Sequence, residues 1–268
     1  MVPAFHHVWL FVFENRSFES VIGNPRLPFL NSLADHYTLA TRAYAVSHPS
    51  LPNYLAMIGG STFGCGSDSC APNLTEPTLV EQLDARRLTW AAFYEDLPAP
   101  GYTGDDVGGY VRHHDPFVYF TEIRDTILRL HIHPLTSFES SLANPPSLTV
   151  VGLSNTHNMH NGSVAVADAY ARRYVGAVLA SAAFRDHGVV IVTWDESFFG
   201  DRSGCCGEGV HGGNIPLIVA ASDGLRGVRS AVPHDTYSIL RTIEDGFGLP
   251  HLRHAGDAGT ASLRELWP

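Results

Sequence analysis

Short runs of β-branched and aromatic residues recur along the chain and predict the strands of a sheet. Most of these runs are continuously apolar rather than alternating, which is typical of strands that are covered on both faces. They cover residues 8–13, 38–46, 88–94, 148–153, 189–194 and 215–221.

Segments with apolar residues at helical spacing lie between these runs. The clearest covers residues 164–187, where the pattern continues until Gly188 ends it. Strands that alternate with helices predict an α/β fold with a mostly parallel central sheet and helices on both faces. The loop-rich stretch 98–144 interrupts this alternation, and we expect it to form a small cap over one edge of the sheet. Further helices are expected at residues 28–35, 51–58, 78–86 and 236–247.

Length and composition are those of one elaborated domain. A chain of 268 residues with 44% hydrophobic content can bury one sizeable core, and no linker or repeat divides it, so residues 1–268 are expected to form a single domain. The formal net charge is -10, and all 17 basic residues are arginine. This balance disfavours nucleic acid as a partner. The sequence does not indicate an oligomeric state.

The amino terminus and the cysteines bear on the compartment. Residues 1–7 lack a charged leader, and the apolar run that follows is too short for a signal peptide or a membrane span. As written the chain is expected to be cytoplasmic and not inserted in a membrane, although a secreted protein whose leader has been removed would read the same. Cys65 and Cys70 could close a small disulfide loop, and Cys205 and Cys206 could be a vicinal disulfide or two free thiols.

Polar side chains follow four of the predicted strands, at the point where each strand ends. In an open α/β sheet, ligands bind beyond the carboxyl ends of the strands, so these side chains are candidates for one site. The 15 histidines of the chain raise the expectation of a hydrolytic or metal site without locating it. The candidates are Glu14 and Asn15, Ser47 to Ser50, Asn155 to His160, and Asp195 with Glu196.

Ser50 lies at the predicted amino terminus of a helix, with Pro52 suited to its first turn and Gly59 and Gly60 to its end. Free N–H groups and the positive end of the helix dipole favour both a serine alkoxide and an incoming phosphate at this position. The residue preferences at helix ends alone favour a simpler interpretation, in which the serine only caps the helix.

Several motifs occur in a fixed order over most of the chain. They are Glu14-Asn15-Arg16-Ser17-Phe18-Glu19, Ser50 with Pro52 and Asn53, Tyr94 to Pro98, His113 to Phe117, Asn158-Met159-His160, and Thr193 to Glu196. Any one motif is weak, but the ordered set resembles the phosphoesterase family of bacterial acid phosphatases and phosphatidylcholine-type phospholipases C, a branch of the alkaline phosphatase superfamily.

The resemblance implies an alkaline-phosphatase-like fold and a metal-dependent phosphoester hydrolase. It implies that Ser50 is the nucleophile, forming a phosphoserine intermediate, and that Asn53 donates a hydrogen bond to a phosphoryl oxygen. By the same resemblance, a divalent cation lowers the pKa of the hydroxyl and polarises phosphorus. The implied ligands of this cation are Glu14, Asn15, Asp195 and Glu196, and the residues implied to neutralise charge or protonate the leaving group are His113, His114 and His160.

Two positions limit what the resemblance implies. Asn158 stands where the family often has aspartate, so a second metal would lack a charged ligand there and one cation is expected rather than two. His211, in the Gly-rich segment 209–213, resembles the late histidine of two-metal relatives and is expected to be a metal ligand or a substrate contact. The chain is also shorter than the larger members of the family, which suggests an open site.

The leading expectation is a phosphomonoesterase that acts on a small phosphorylated substrate. The first alternative is a phosphodiesterase of phospholipase C type, but segment 98–144 mixes aromatic, acidic and histidine residues and fits a small polar substrate better than a lipid diester. A further alternative is a non-catalytic protein that binds phosphate ligands on the same fold; the retained serine, asparagine and acidic residues argue against it.

Overall fold

The computed structural model describes residues 1–206 and 211–268, and its centre is a nine-stranded sheet. The strands are β1 (His7–Phe13), β2 (Thr38–Tyr44), β3 (Trp90–Tyr94), β4 (Ile132–Pro134), β5 (Leu148–Gly152), β6 (Gly188–Trp194), β7 (Asn214–Ala221), β8 (Val228–Ser230) and β9 (His234–Asp235). Their order is β4-β3-β5-β1-β6-β7-β2-β8, and β9 also pairs with β2.

Helices of very different length connect these strands. The α-helices are α1 (Phe18–Val21), α2 (Pro28–His36), α3 (Ser50–Gly59), α4 (Leu79–Ala85), α5 (Thr121–Arg124), α6 (Phe138–Ser141), α7 (Val164–Ala180), α8 (Ala182–Arg185) and α9 (Thr236–Phe247). Short 3₁₀ helices cover Arg112–His114, Pro116–Tyr119, Ile127–His131, Leu135–Ser137, Arg253–Gly256 and Arg264–Leu266.

The sheet is covered on both faces, as its apolar strands predict. All residues of β6 are buried, and so are all residues of β1 except His7. Helix α2 packs against α7, and α3 packs against α9. Burial of both sheet faces by helices is the main apolar contribution to stability in this architecture. The α/β prediction with a mostly parallel sheet is confirmed.

One strand runs against the others. Strand β7 pairs antiparallel with β6 on one side and with β2 on the other, whereas the remaining strand pairs of the described sheet are parallel. Two reversals restore the direction, so β2 still runs parallel to β1. The carboxyl ends of β1, β2 and β6 therefore lie at the same edge of the sheet.

The predicted helix over residues 164–187 ends early. Helix α7 stops at Ala180, and Ser181 then caps α8 by accepting a hydrogen bond at Oγ from the Phe184 amide at 3.1 Å. A serine that caps a new helix interrupts an apolar pattern that would otherwise read as continuous. By contrast, Gly60 ends α3 in the left-handed conformation, with φ of 71°, where glycine carries no steric cost.

Segment 98–144 contains mainly 3₁₀ helices and adds an edge strand to the sheet. Its strand β4, Ile132–Pro134, pairs in parallel with β3, which the sequence did not predict. The rest of the segment includes the turn Arg112–His114, which carries two of the candidate histidines. That this segment acts as a cap within a single domain stays a prediction.

Both cysteine pairs are disulfides. Cys65 and Cys70 close a six-residue loop, and Cys205 is bonded to its neighbour Cys206. Over residues 1–206 and 211–268, no helix is long and apolar enough to cross a membrane.

Glu244 on α9 is a buried carboxyl with an incomplete set of hydrogen bonds. Its Oε1 accepts from the Leu252 amide at 2.8 Å, while Oε2 has no partner. Burial raises the pKa of Glu244 from 4.5 to about 8. The folded protein then holds a proton that the unfolded chain releases, so this group lowers stability as pH rises from about 4.5 towards 8.

We therefore expect Glu244→Gln to flatten this pH dependence. Near pH 9 the variant should exceed the wild type in free energy of unfolding by about 2 kcal/mol, because the neutral amide avoids a buried charge. Near pH 5 the two proteins should be close to equal. Denaturant titrations at both pH values test this, and equal slopes against pH in both proteins would contradict it.

Candidate active site

Two buried carboxylates from neighbouring parallel strands form the centre of the site. Strand β1 ends at Phe13 opposite Trp194 of β6, so Glu14 and Asp195 leave the sheet side by side. Both residues are buried, and their carboxyl groups lie within hydrogen-bonding reach of each other. The Asn15 amide donates to Asp195 Oδ1 at 3.0 Å. The sequence predicted these three residues at one site, and the structure brings them together.

Ser50 points at this carboxylate pair from the first residue of α3. Its buried Oγ donates to Glu14 Oε2 at 3.1 Å, and it also contacts the carboxyl group of Asp195. Within α3, Ser50 makes no side-chain capping bond. The simpler interpretation of Ser50 as a helix cap is therefore wrong. Tyr54, one turn along the same helix, donates its hydroxyl to Glu14 Oε1.

The loop between β2 and α3 is held by Asn53. Its Oδ1 accepts from the amides of Val46 and Ser47, each at 3.0 Å, and its Nδ2 donates to the carbonyls of Ser47 and Pro49 at 2.8 and 3.1 Å. Both amide hydrogens are thus used to shape the loop that presents Ser50. The predicted contact of Asn53 with a phosphoryl oxygen would require one of these bonds to be exchanged, and it stays a prediction.

One histidine, His114, lies close to the carboxylate pair, and His113 lies beside it. His114 is buried, its Nε2 lies 3.5 Å from Glu14 Oε2, and its ring stacks on Tyr54 at a centroid distance of 5.4 Å. His113 meets the ring of His114 edge-on, with centroids 4.4 Å apart. Burial, followed by the nearby charges of His113 and His160, lowers the pKa of His114 well below its ordinary value. His114 is therefore a neutral imidazole near pH 7, beside two more exposed histidines.

The Glu196 carboxylate is bonded to a histidine. Its Oε2 is bonded to Nδ1 of His48, and His48 Nε2 is 2.7 Å from the carbonyl of Asp201. Consecutive residues at the end of a strand point to opposite sides, so Asp195 and Glu196 contact different partners. The role of Glu196 as a ligand in one set with Asp195 stays a prediction. His48 is a residue of the site region to which the sequence assigned no role.

His211 follows the end of β6 in a loop. It is partly buried against Gly204, in the loop between β6 and β7. In the part of the chain that the structure describes, no hydrogen bond or ion pair joins it to Glu14, Asp195 or Ser50. Residues 209 and 210 of its motif lie outside the described residues. Its role as a metal ligand or substrate contact stays a prediction.

The donor atoms at the centre suit a hard divalent cation. Asp195 Oδ2 and Asn15 Oδ1 are buried without a hydrogen-bond partner, as are both ring nitrogens of His114. Burial and then the charge of Asp195 raise the pKa of Glu14 well above its ordinary value, while burial and then Glu196 raise the pKa of Asp195 to about 7. Two buried carboxylates and an amide oxygen with free lone pairs match the oxygen ligands of such ions.

Among residues 1–206 and 211–268, no three His, Cys, Asp or Glu side chains are already grouped as a metal-ligand set. The donor atoms that do converge are two carboxylates, with the neutral oxygens of Asn15 and Ser50 beside them. The side chain of Asn158 bonds within its own loop, where Nδ2 donates to the Leu153 carbonyl and to Asn155 Oδ1. The expectation of one cation rather than two stays a prediction.

Fold and site together define a class, the phosphoester hydrolases built on an alkaline-phosphatase-like sheet. Residues 24–250 match the model of the Phosphoesterase family, and the chain belongs to that family.

Similar proteins agree with this assignment. The chain is 34% identical to a phosphatidylinositol-3-phosphatase of Mycobacterium tuberculosis, and the match covers 99% of this chain and 84% of that protein. It is 30% identical to an acid phosphatase of Aspergillus fumigatus, and that match covers 92% of this chain and 55% of that protein. A Vibrio parahaemolyticus structure of the alkaline phosphatase superfamily shares the fold, with a TM-score of 0.63 at 13% identity, covering 96% of this chain and 71% of that one.

The charge of the carboxylate pair gives a test that needs no substrate. Because ionised Asp195 is costly to bury, Asp195→Asn should raise the melting temperature of chelator-treated protein above about pH 7. Added divalent cations should then raise the melting temperature of the wild type and leave that of the variant unchanged.

A matched control is Glu95→Gln, which changes a carboxylate at the end of β3 that pairs with His157. This variant should keep the cation-dependent rise. Thermal unfolding with and without each cation provides the measurement, and a variant of Asp195 that still responds to cations like the wild type would contradict the ligand assignment.

Proposed function

We propose that the protein is a metal-dependent phosphomonoesterase that works through a phosphoserine at Ser50. The observation that carries this proposal is the Ser50 hydroxyl, buried at the start of α3 and bonded to Glu14 beside Asp195. A nucleophilic serine needs a partner for its proton and a positive environment for its alkoxide. The start of α3 offers its helix dipole, and the carboxylate pair offers a place for the cation.

Different residues would assist the attack of Ser50 on phosphorus and the departure of the leaving oxygen. Glu14, Asn15 and Asp195 would hold the cation, which supplies a lower hydroxyl pKa and a polarised phosphoryl group. Ser50 Oγ then attacks phosphorus opposite the leaving oxygen. His114, neutral and without a hydrogen-bond partner on either ring nitrogen, faces the same centre. As a neutral imidazole, His114 donates a hydrogen bond to the phosphoryl group, and the more exposed His113 and His160 supply the proton that the leaving oxygen needs.

Substitution of Ser50 tests the nucleophile. Ser50→Ala should lower kcat for a chromogenic phosphomonoester by about a thousandfold or more, because among the described residues Ser50 is the only serine whose hydroxyl is bonded to the carboxylate pair. The fold should survive, since the side chain is small. Ser47→Ala is the matched control, because among the described residues the hydroxyl of this nearby buried serine donates only to the carbonyl of His48. Residual turnover near the wild-type rate in Ser50→Ala would require water as the nucleophile.

The ester class is decided by parallel assays on chelator-treated protein. Turnover of a chromogenic phosphomonoester that returns with one divalent cation supports the proposal and identifies the cation. Preference for the matching diester would favour the phospholipase C alternative. Absence of turnover with every cation would favour the binding-protein alternative.

A lipid phosphomonoester is a second candidate substrate. One relative, at 34% identity, is named a phosphatidylinositol-3-phosphatase. In this chain, Phe198 and Phe199 are 57% and 67% exposed, only three and four residues after Asp195. Exposed neighbouring aromatic side chains beside a site are suited to contact an apolar surface. A lipid whose phosphate enters the site would place its chains near this pair.

Phe198→Ser separates the lipid candidate from soluble substrates. It should raise the KM for a phosphoinositide in vesicles by about tenfold and leave the kinetics of a soluble monoester unchanged, because only the lipid uses the aromatic contact. Ile127→Ser is the control, since Ile127 is 74% exposed but lies in a different segment. Equal KM values for wild type and Phe198→Ser on vesicles would refute the lipid contact.

A further inference from the structure

The helix that begins with Ser50 has a carboxylate on its first turn from a different part of the chain. The Leu51 amide donates to Asp68 Oδ1 at 2.9 Å. Leu51 carries the peptide N–H that directly follows the nucleophile, and the next residue, Pro52, has no N–H. This amide is one of the helix donors that have no partner within the helix and that bind anions in many proteins.

Asp68 is presented by the disulfide loop Cys65–Cys70. Within this loop the Cys70 amide donates to the Ser67 carbonyl at 3.1 Å, and the Ser69 amide donates to Ser67 Oγ at 3.0 Å. The covalent closure and these short-range bonds restrict the positions that Asp68 can adopt. Its contact with Leu51 is therefore held by a small, closed structure rather than by a long flexible segment.

Asp68 also lies beside one of the candidate histidines. It lines a cavity of about 370 Å³ together with Arg112, His113 and Tyr119. His113 is the neighbour of His114, whose two buried and unpartnered ring nitrogens stand over Glu14. Asp195 Oδ2 is likewise buried without a partner. These free polar atoms indicate that a ligand completes the site next to the amide that Asp68 occupies.

A carboxylate and a phosphoryl group compete at this position for one donor. When phosphorus is bonded to Ser50 Oγ, its other oxygens lie within reach of the amides that start the helix, where the dipole favours anions. Asp68 is already on the Leu51 amide, and its charge repels a dianion at short range. Phosphate binding must therefore displace Asp68 or proceed without that amide.

We propose that Asp68 is a specificity-determining residue that competes with phosphoryl oxygens for the Leu51 amide and thereby limits the affinity of the site for inorganic phosphate. The proposal rests on the proposed function, in which inorganic phosphate is the product. Weak product binding favours turnover, because the released phosphate does not occupy the site. A purely structural role is the competing explanation, in which Asp68 only caps α3.

The two roles predict opposite results for phosphate affinity. Titration calorimetry with inorganic phosphate, on protein loaded with the cation that most raises the melting temperature, should give about tenfold tighter binding for Asp68→Asn. Asp68→Ala should bind phosphate more tightly still, because it removes the acceptor as well as the charge. Competitive inhibition of monoester turnover by phosphate should strengthen in the same order. For the monoester itself, KM should fall more than kcat.

Asp106→Asn is the matched control. Asp106 lines the same cavity, but its carboxylate accepts from the Arg112 amide at 2.8 Å and does not contact Leu51. If Asp106→Asn tightens phosphate binding as much as Asp68→Asn, general charge is responsible and the proposal is wrong. Unchanged or weaker phosphate binding in folded Asp68→Asn, with a lower melting temperature, would establish the capping role instead.

Failure of the underlying function would look different. Wild-type protein that neither binds phosphate nor turns over a monoester with any cation would overturn the proposed function, and the inference about Asp68 with it. Wild-type protein that is active, and whose Asp68 variants bind phosphate no more tightly, would overturn the inference alone.

Discussion

The burial of two carboxylates side by side is the constraint on which the site depends. Parallel pairing of β1 with β6 leaves Glu14 and Asp195 next to each other at the edge of the sheet, where water is excluded. A pair of buried like charges is costly unless hydrogen bonds and a counter-charge compensate. Ser50, Tyr54 and the Asn15 amide supply the hydrogen bonds. In the proposed function, a divalent cation supplies this counter-charge.

The loops around the pair are built by polar residues that do not themselves face the centre. Asn53 makes four hydrogen bonds that shape the turn before Ser50. Both ring nitrogens of His48 face acceptors, Glu196 Oε2 and the Asp201 carbonyl, so this histidine ties the loop after β6 to the loop after β2. Asp195 and Glu196, although adjacent, therefore have different partners. Asp195 accepts from the Asn15 amide beside Glu14, and Glu196 is bonded to His48.

The sequence predicts the parts of this arrangement that depend on local patterns, and it does not predict contacts between residues that are far apart in the chain. Buried strands are continuous apolar runs, and parallel strands end at one edge, so Glu14, Ser50 and Asp195 could be expected together. The alternation of side chains along a strand could also have separated Glu196 from Asp195. The partnership of His48 with Glu196 spans 148 positions, and no local pattern encodes it. Likewise, the break of the long helix at Ser181 depends on one capping bond.

The two disulfides add covalent links to two loops of the protein. The loop Cys65–Cys70 carries Asp68 to the helix of Ser50, and the Sγ of Cys205 lies 3.3 Å from the His234 carbonyl oxygen. Loops of this kind lose definition when they are reduced, because few apolar contacts hold them. Disulfides persist in oxidising compartments, so these bonds bear on the compartment, which stays a prediction. The position of Asp68 beside the Leu51 amide depends on the covalent closure of its own loop.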